Sequence, residues 1–490
     1  MKPMLQNIFR TSIINYIGVA VSFVTILFIQ TKILTEDEIG VIRLILDKSS
    51  LVLPFFLFGL HSVASRFYFH FEDNKSDYSS FMTLLLGAPI IIFSIGFIIS
   101  LLLNLNFRIS NFYLIAIVLL FSIYIRIFEE YLATKQKIIF PSLLRNILFK
   151  LLFVVFIFFY YYCFINFKQL LVCYVGVYLI HLLLLLIYFR KNLTFKLKLN
   201  VKDFNKPIFK EIVTYCLFFI SLAGSITLVT KLDTIMLEMI TNSLAFVGIY
   251  AIAFSISNVV DVVKRPIVKL SMPILSKKLK ENRLAEILSI YRKSSINLMI
   301  AGSFMFLFVW LNIDLIFSII PNSEIYQAGK YAVFFLCLAK LLDLSLGVNY
   351  EIIQGSIYYK WNILLTPFLA VLSIVLNLYF ISNYSLLGAA IATAISVFTY
   401  NILRTILISV KLKMHPFTKK YFKVIPFVVI PFIINYFFSM ENLFFNLFFN
   451  ILILFFVFIL PIYLLKLSDE FNYLVDILLV KLKIIKVTKS

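Results

Sequence analysis

Lysine and arginine residues inside long apolar runs are the side chains of this sequence best suited to binding chemistry. Lys231 lies with Asp233 in the stretch SITLVTKLDTIMLEM, and Arg404 lies in TYNILRTILIS with no acidic residue within four positions. A charge inside a bilayer costs about 2.5 to 3.5 kcal/mol on translocon insertion scales, so it has to face a protein interior or a cavity. Ammonium and guanidinium groups placed there suit an anion, because charge-assisted hydrogen bonds are strong and weakly screened away from water.

The spacing of Lys231 and Asp233 rules out a direct pair between them. Residues two apart on an α-helix point about 200° away from each other. Each therefore needs a partner on another helix or in a cavity, and Lys231 either contacts an anionic ligand or forms an interhelical ion pair. Arg404 lies near the end of its run, so it either contacts a ligand or extends toward the membrane surface.

Three more cations complete the candidate binding set. Lys48 and Lys340 lie inside apolar runs, although Asp343, three residues after Lys340, could neutralise it. Arg66 follows the second run, where it either meets a ligand at the cytoplasmic mouth or is an ordinary basic loop residue. The predicted binding cluster is Lys48, Arg66, Lys231, Lys340 and Arg404.

Other charges within the runs are spaced for structural pairs. Residues three or four apart share one face of a helix and neutralise each other when their charges are opposite. Such sets are Arg43 with Asp47, Arg126 with Glu129 and Glu130, and Asp261 with Lys264 and Arg265.

Motifs for catalysis, metal binding or nucleotide binding are absent from the sequence. The four histidines, at positions 61, 70, 181 and 415, form no HxxxH pair, and the four cysteines form no CxxC motif. There is also no GxxxxGK[ST] loop to bind a nucleotide phosphate. We therefore expect no catalytic residue, no metal and no cofactor.

The elements that position these charges are long apolar helices. Hydrophobic residues make up 62% of the 490 positions, above the roughly 45 to 50% of soluble domains. Crossing a hydrocarbon core of about 30 Å takes about 20 helical residues. We predict an all-α integral membrane protein with about fourteen transmembrane helices, near residues 13–33, 41–60, 81–104, 111–134, 147–165, 168–189, 211–240, 244–268, 294–320, 327–350, 361–382, 384–410, 422–438 and 442–465.

The net charge of +21 fits a membrane protein better than a nucleic-acid-binding one. Membrane proteins concentrate Lys and Arg in cytoplasmic loops. With the amino terminus inside, most basic residues of the connections fall on that same side, and those on the other side are Lys32, Arg108, Lys168 and Lys330. This sorting supports the helix count, predicts that both termini are cytoplasmic, and leaves no need for a nucleic-acid partner.

The runs divide into two groups of six followed by two more. The predicted organisation is a first lobe at 1–190, a basic linker at 191–210, a second lobe at 211–410, helices 13 and 14 at 411–466, and a basic tail at 467–490. EIGVIRLILDKSSLV around Gly40 aligns with FVGIYAIAFSISNVV around Gly248, which indicates an internal repeat. Transporters built from repeats place their binding site between them near the membrane midplane.

The six, six and two pattern with short outer loops resembles the polysaccharide-transporter branch, which includes O-antigen flippases, of the multidrug, oligosaccharidyl-lipid and polysaccharide exporter superfamily. The resemblance covers nearly the whole chain. Its most telling stretches are LTEDEIG at 34–40, FGLHSVASRFYFHF at 58–71, NSLAFVGIYAIAFSIS at 242–257 and YSLLGAAIATAIS at 384–396. It implies two six-helix lobes in a V around a central cavity, with the last two helices extending a hydrophobic groove for a lipid tail.

The function that this resemblance implies is a flippase. It would move an undecaprenyl-pyrophosphate-linked oligosaccharide, an O-antigen or capsule repeat unit, from the inner to the outer leaflet of a bacterial cytoplasmic membrane, with the pyrophosphate received by a cationic cavity. Membrane lipids, and the polysaccharide polymerase and chain-length machinery, would be its partners. If an ion gradient drives the movement, Asp233, Asp343 and Glu130 are the candidate carriers.

Two other functions stay open on the sequence. A membrane polysaccharide polymerase or ligase uses the same lipid-linked substrate, but the short outer connections offer no clustered carboxylates or arginines for an external reaction site. A drug exporter of the same superfamily would favour an acidic cavity for cationic substrates. The intramembrane lysines and arginines argue against that exporter.

Overall fold

The computed structural model describes residues 2–67, 71, 75–105, 110–191, 206–438 and 442–481, and within these ranges all regular structure is helical. The chain separates into two compact units, Met1–Ala251 and Ile252–Ser490. The division into lobes at 1–190 and 211–410 stays a prediction.

The first unit contains α1 to α8 and the first part of α9. Its helices are α1 (Lys2–Val24, continued by the π-helical Thr25–Gln30 and by Thr31–Ile33), α2 (Glu36–Leu57), α3 (Leu60–Arg66), α4 (Lys75–Leu102), α5 (Phe112–Thr134), α6 (Ile139–Leu143, π-helical Leu144–Leu148 and Phe149–Tyr161), α7 (Phe167–Arg190), α8 (Lys206–Thr241) and α9 (Leu244–Asp261).

The second unit contains the rest of α9 and the helices that follow it. They are α10 (Lys264–Lys280), α11 (Leu284–Leu311), α12 (Ile313–Ser318), α13 (Ser323–Tyr326, 3-10 Gln327–Gly329 and Lys330–Ser345), α14 (Asn349–Gly355), α15 (Lys360–Leu412), α16 (Lys419–Phe437), α17 (Leu443–Ile453, π-helical Leu454–Ile459 and Leu460–Leu464) and α18 (Asp469–Lys481).

Eleven helices of the described residues are long and apolar enough to cross a membrane. Neither α2 nor α8 is among them, and α15 counts once although its 53 residues contain a non-helical Ser385 (φ 48°, ψ −123°), where two helices meet. Each predicted run lies largely on helical residues, and the number of fourteen crossings stays a prediction.

The start of α2 is fixed by a capping box in LTEDEIG. The Thr35 hydroxyl accepts a hydrogen bond from the Glu38 N–H at 3.3 Å, and the Thr35 N–H donates to Glu38 Oε2 at 3.0 Å. Acidic side chains in this first turn also suit the positive end of the helix dipole. The helix therefore starts before the predicted residue 41, and it ends at Leu57 because Phe58 and Gly59 adopt positive φ angles.

The two glycines aligned in the repeat meet in the structure. A Cβ atom on Gly40 of α2 would lie 2.2 Å from the Leu244 carbonyl oxygen, and one on Gly248 of α9 would lie 2.0 Å from the Glu36 carbonyl oxygen. The contact is reciprocal. Gly40 approaches the carbonyl of Leu244, which is four residues before Gly248, and Gly248 approaches the carbonyl of Glu36, which is four residues before Gly40. The amino-terminal turns of α2 and α9 therefore pack backbone against backbone.

The last two long helices pack on α11 within the second unit. Leu307 of α11, Val424 of α16 and Phe458 of α17 are fully buried in one apolar cluster. Asn450 of α17 donates a hydrogen bond to the Leu311 carbonyl oxygen at 2.7 Å, which satisfies the end of α11.

Candidate functional site

The buried carboxylate of Asp47 connects α2 with α8. Asp47 is 1% exposed and accepts from Arg43 Nε at 2.6 Å, from Lys231 Nζ at 2.6 Å and from the Thr234 hydroxyl at 2.8 Å. Asp233 accepts from the Tyr250 hydroxyl of α9 at 3.1 Å. The prediction that Lys231 and Asp233 find partners on other helices is confirmed, as is the Arg43–Asp47 pair.

A second ion pair joins the same two helices. Lys48 Nζ lies 2.9 Å from Glu238 Oε2, and the two side chains are 18% and 23% exposed. Glu238 follows Lys231 by seven residues, so both lie on one face of α8. Two adjacent ion pairs therefore link α2 and α8. The sequence identified their cations, Lys48 and Lys231, but it did not identify the acidic partner of either on the other helix.

In the second unit, Asp343 pairs with Lys264 rather than with Lys340. Its other oxygen accepts from Asn401 Nδ2 at 3.0 Å. Lys340 donates instead to Asn258 Oδ1 at 2.8 Å and lies 5.0 Å from the centre of the Phe254 ring. The predicted pairing of Asp343 with Lys340 is therefore wrong as a direct contact, because the Asp343 carboxylate binds Lys264 of α10 and Asn401 of α15.

Lys264 likewise does not form the predicted ion pair with Asp261, because a partner on another helix lies closer. Its ammonium makes its ion pair with Asp343 of α13 rather than with the aspartate three residues before it. Sequence spacing identifies residues that share a helix face, but it does not show when a partner on another helix comes closer.

Arg404 is a buried cation without an acidic contact among the described residues. It is 7% exposed, and its guanidinium carbon lies 3.6 Å from the centre of the Tyr400 ring and 4.7 Å from that of Tyr350. One Nη atom donates to the Tyr400 hydroxyl, whereas Nε is buried and has no hydrogen-bond partner in the described part of the chain. The predicted binding residue is therefore surrounded by aromatic rings.

The remaining predicted residues lie apart from these groups. Arg66 is exposed at the end of α3, with Glu211 Oε1 at 3.6 Å and the Tyr215 ring centre at 4.6 Å. Glu130 is half-buried on α5. Next to it, Glu129 pairs with Arg145 at 2.9 Å and with Arg126 at 3.8 Å, which confirms the predicted pair with Arg126.

The predicted cluster is therefore distributed over two units. Lys48 and Lys231 flank the α2–α8 contact of the first, and Arg66 lies elsewhere in that unit. Lys340 and Arg404 belong to the second. Sequence reasoning missed Glu238, Tyr350 and Tyr400. The aromatic pair had a usable signal, because Tyr400 precedes Arg404 by one helical turn. Among the described residues, no three His, Cys, Asp or Glu side chains lie close enough together to hold a metal ion.

Each unit contains an apolar cavity of about 600 Å³. In the first unit it lies among α2, α4, α5 and α8, beside the Lys48–Glu238 pair. In the second it lies among α10, α11, α17 and α18, with Phe304, Phe458 and Phe471 in its walls and Lys293 and Glu470 at its polar edge. Such volumes are in the range of pockets that hold small organic molecules, about 300 to 1,000 Å³.

Solved transporter structures share the fold. The lipid II flippase MurJ in an inward closed conformation matches with a TM-score of 0.68 and 13% identity over 93% of this chain and 98% of that one. An inward-facing multidrug resistance MATE family transporter of the MOP superfamily matches with a TM-score of 0.60 and 15% identity over 82% and 94% of the two chains. No curated protein matches this chain. The predicted fold class is confirmed.

A family model described as polysaccharide biosynthesis protein matches residues 4–279, more than half of the chain. This range includes the capping box of α2, both ion pairs of α8 and the glycine contact of α9. The chain belongs to the polysaccharide biosynthesis protein family, as its resemblance to polysaccharide transporters predicted.

Proposed function

We propose that this protein is a flippase that moves an undecaprenyl-pyrophosphate-linked oligosaccharide from the cytoplasmic to the outer leaflet of a bacterial inner membrane. The observation that carries the proposal is Arg404, a buried guanidinium with an unused donor and no acidic contact among the described residues. The family match and the fold shared with a lipid II flippase support the substrate class.

The surroundings of Arg404 suit a transient anion. Aromatic faces attract the cation without neutralising it, and burial strengthens any hydrogen bond that it later makes. A pyrophosphate oxygen reaching Nε would form a charge-assisted hydrogen bond and replace a buried donor that is now unsatisfied. Asp343 and Glu351 act on the guanidinium only from beyond ion-pair distance, so a ligand that contacts Nε displaces no existing ion pair.

The other predicted cations differ in whether an acidic partner has to be displaced before they can bind the pyrophosphate. Lys48 and Lys231 have acidic partners in this state, so the pyrophosphate has to displace Glu238 or Asp47 before either contacts it. Lys340, which binds Asn258 and has no carboxylate within ion-pair distance among the described residues, needs no such exchange. Arg66, exposed and held loosely by Glu211, would meet the head group at the cytoplasmic mouth.

The apolar cavity of the second unit suits the lipid tail. Its walls include Phe304, Met305, Phe458, Ile459 and Phe471, and α17 and α18 form one side of it. An isoprenoid chain that enters this cavity from the bilayer is not exposed to water, which would cost roughly 25 cal/mol per Å² of apolar surface. The tail would thereby stay in an apolar environment while the head group is bound by cations.

Movement by alternating access completes the proposal. Asp233, Asp343 and Glu130 are the candidate carriers if an ion gradient drives it. Of the three, Asp343 has a structural effect of protonation that can be named. Protonating its carboxylate would release Lys264 and Asn401, which both bind it. Polymerase and chain-length proteins are the expected partners on the outer side.

The test combines depletion of the protein with substitution of Arg404. In cells that lack the protein, lipid-linked repeat units should accumulate unpolymerised on the cytoplasmic leaflet, and wild-type protein should restore surface polysaccharide. Arg404→Ala should restore it at least about tenfold less well, since one charge-assisted hydrogen bond contributes about 1.5 to 3 kcal/mol. Arg404→Lys, which retains the charge, should be intermediate.

Arg292→Ala is the matched control, because this arginine is half-buried and its contact is a long hydrogen bond of 3.5 Å from Nε to the backbone oxygen of His415. Membrane levels of all variants are measured by immunoblot. Repeat units that accumulate on the outer leaflet in depleted cells would point to a polymerase or ligase. Normal polysaccharide together with increased sensitivity to cationic drugs would point to a drug exporter.

A further inference from the structure

The cavity of the first unit lies beside the Lys48–Glu238 ion pair, which stays closed unless the transported pyrophosphate displaces Glu238. Four helices enclose about 600 Å³, and the walls are largely aromatic and aliphatic. Phe56, Phe93, Phe97 and Phe112 supply rings from α2, α4 and the start of α5. A volume of this size with a few polar groups at one end is typical of a site for a small amphipathic ligand.

The polar end of the cavity is the Lys48–Glu238 pair. Both residues line the cavity, and each keeps about a fifth of its side chain exposed. Glu238 lies three residues before the end of α8 at Thr241, which is about 4.5 Å along the helix axis. Ser110, just before α5 begins, lines the same cavity. Glu238 and Ser110 therefore lie near helix ends, whereas Lys48 reaches the same cavity from a position twelve residues after the start of α2 at Glu36.

Each member of the pair has hydrogen-bonding capacity beyond the bond that joins them. A lysine ammonium has three donors, and its printed contact at 2.9 Å uses one of them. A carboxylate has about four lone-pair sites on two oxygens, and the contact uses Oε2. The pair can thus bind an anionic group and a cationic group at the same time without being broken.

The cavity is accessible from the lipid side. Ile99 of α4, Leu103 directly after α4 and Met239 of α8 line it and are 50%, 58% and 68% exposed. Ile95 on the same face of α4 is 54% exposed. Apolar side chains this exposed on a membrane-spanning helix face acyl chains, so an occupant of the cavity enters from the bilayer.

We propose that this cavity is a specific site for a phospholipid whose head group carries a phosphate and a primary ammonium, as in phosphatidylethanolamine. The acyl chain occupies the aromatic cavity, the phosphate accepts a hydrogen bond from Lys48, and the ammonium donates to Glu238. An anionic phosphatidylglycerol would bring its charge toward Glu238 without a compensating cation. A phosphatidylcholine has no N–H with which to donate.

Lipid selectivity of the delipidated full-length protein tests the proposal. The three phospholipids, with identical acyl chains, are titrated separately and their binding is measured by native mass spectrometry. Phosphatidylethanolamine should bind about tenfold more tightly than either competitor, which corresponds to one charge-assisted contact. Equal binding of all three by the wild-type protein would overturn the proposal.

Three variants locate the site. Glu238→Gln should reduce the preference over phosphatidylcholine to about one, because the carboxylate that receives the ammonium is lost. Ser100→Leu, which fills the cavity and leaves the ion pair in place, should weaken phosphatidylethanolamine binding with Glu238 intact. Asp314→Asn, which breaks the exposed Lys330–Asp314 pair of the second unit, should change neither. Unchanged selectivity in Glu238→Gln together with unchanged phosphatidylethanolamine affinity in Ser100→Leu would place the lipid elsewhere.

These binding measurements involve no lipid-linked oligosaccharide. The selectivity can therefore be present in a protein that fails as a flippase, and transport can occur in a protein that shows no lipid preference.

Discussion

Two kinds of buried charge occur among the individual residues of this protein. Asp47 is enclosed by donors from Arg43, Lys231 and Thr234, so its charge is balanced within the protein. Arg404 is enclosed by tyrosine rings and keeps an unsatisfied Nε. The first arrangement stabilises the contact between two helices, whereas the second leaves binding capacity for a ligand.

Removing the charge of Asp47 should destabilise the protein strongly. Asp47→Asn keeps the size of the side chain but removes the carboxylate that pairs with Arg43 and Lys231. Breaking a buried pair in this way costs about 3 to 5 kcal/mol, because an uncompensated charge stays buried. The midpoint of thermal unfolding in detergent should fall, and much of the loss should be recovered when Lys231→Met is added.

Asp314→Asn serves as the control, since it breaks an exposed pair that should contribute at most about 1 kcal/mol. If Asp47→Asn were no more destabilising than this control, the carboxylate would not be the centre of the α2–α8 contact.

Single residues also show what the sequence could and could not predict. The 200° separation of Lys231 and Asp233 correctly required partners on other helices, because it follows from helix geometry alone. The identity of those partners depends on which helices pack together, which spacing does not encode. Lys340 and Asp343 form no direct ion pair for that reason, since the Asp343 carboxylate pairs with Lys264 of α10.

At the scale of helices, the crossing of α2 and α9 depends on two glycines. The carbonyl oxygens of Glu36 and Leu244 occupy the space that side chains at Gly248 and Gly40 would need. A backbone oxygen cannot rotate away as a side chain can. The close approach of these two helices therefore requires both glycines.

Alanine at either glycine should separate α2 from α9. A Cβ atom would lie 2.0 Å or 2.2 Å from a carbonyl oxygen, so the helices have to move apart. We expect Gly248→Ala and Gly40→Ala each to lower the midpoint of thermal unfolding in detergent.

Gly176→Ala in α7 is the matched control, because nothing lies within 4 Å of its Cβ position. It should be neutral or stabilising by about 0.5 to 1 kcal/mol, as expected for Gly to Ala in a helix interior. Equal behaviour of the three variants would contradict the described crossing.

The carboxy-terminal helix α18 is held at the edge of the second cavity by a charge that depends on pH. Glu470 accepts from Lys293 Nζ at 2.8 Å and from Asn297 Nδ2 at 3.3 Å. Burial alone would raise the pKa of Glu470 above its ordinary value of 4.5, but these hydrogen bonds outweigh burial and hold the pKa below it.

The docking of α18 should therefore weaken in acid. A carboxylate with a depressed pKa stabilises the docked form above its ordinary pKa and loses that contribution as the pH falls through the depressed value. Hydrogen exchange of residues 469–481 should be constant from pH 7 down to about pH 4.5, after correction for intrinsic rates, and should accelerate at lower pH. Glu470→Gln should exchange faster at neutral pH and show no further acid step, and an unchanged acid step in this variant would exclude Glu470 as its cause.

Helix positions followed from apolar length, but several ends did not. The run predicted at 41–60 begins at Glu36 in the structure, because the Thr35–Glu38 capping box extends the helix into charged residues that a hydropathy count leaves out. Its end at Leu57 depends on the positive φ of Phe58, a residue with no turn preference of its own.

At the scale of the whole molecule, composition and charge sorting predicted the fold class, and the shared fold with MurJ and MATE transporters confirmed it. The family followed from turn and small-residue patterns spread over the chain, which the match at residues 4–279 supports. The binding cluster was less predictable, because its members are brought together or kept apart by helix packing in three dimensions.

Movement of a pyrophosphate-linked oligosaccharide by means of the cation Arg404, as we propose, can be measured directly with the purified protein. Purified protein is reconstituted into liposomes with a fluorescent polyprenyl-pyrophosphate oligosaccharide, and the fraction of probe that becomes accessible to a membrane-impermeant quencher is followed over time. We predict that wild-type protein and Arg292→Ala make the inner-leaflet probe accessible, and that Arg404→Ala does so at least about tenfold more slowly. Equal rates for wild-type protein, Arg404→Ala and protein-free liposomes would contradict the proposed flippase mechanism.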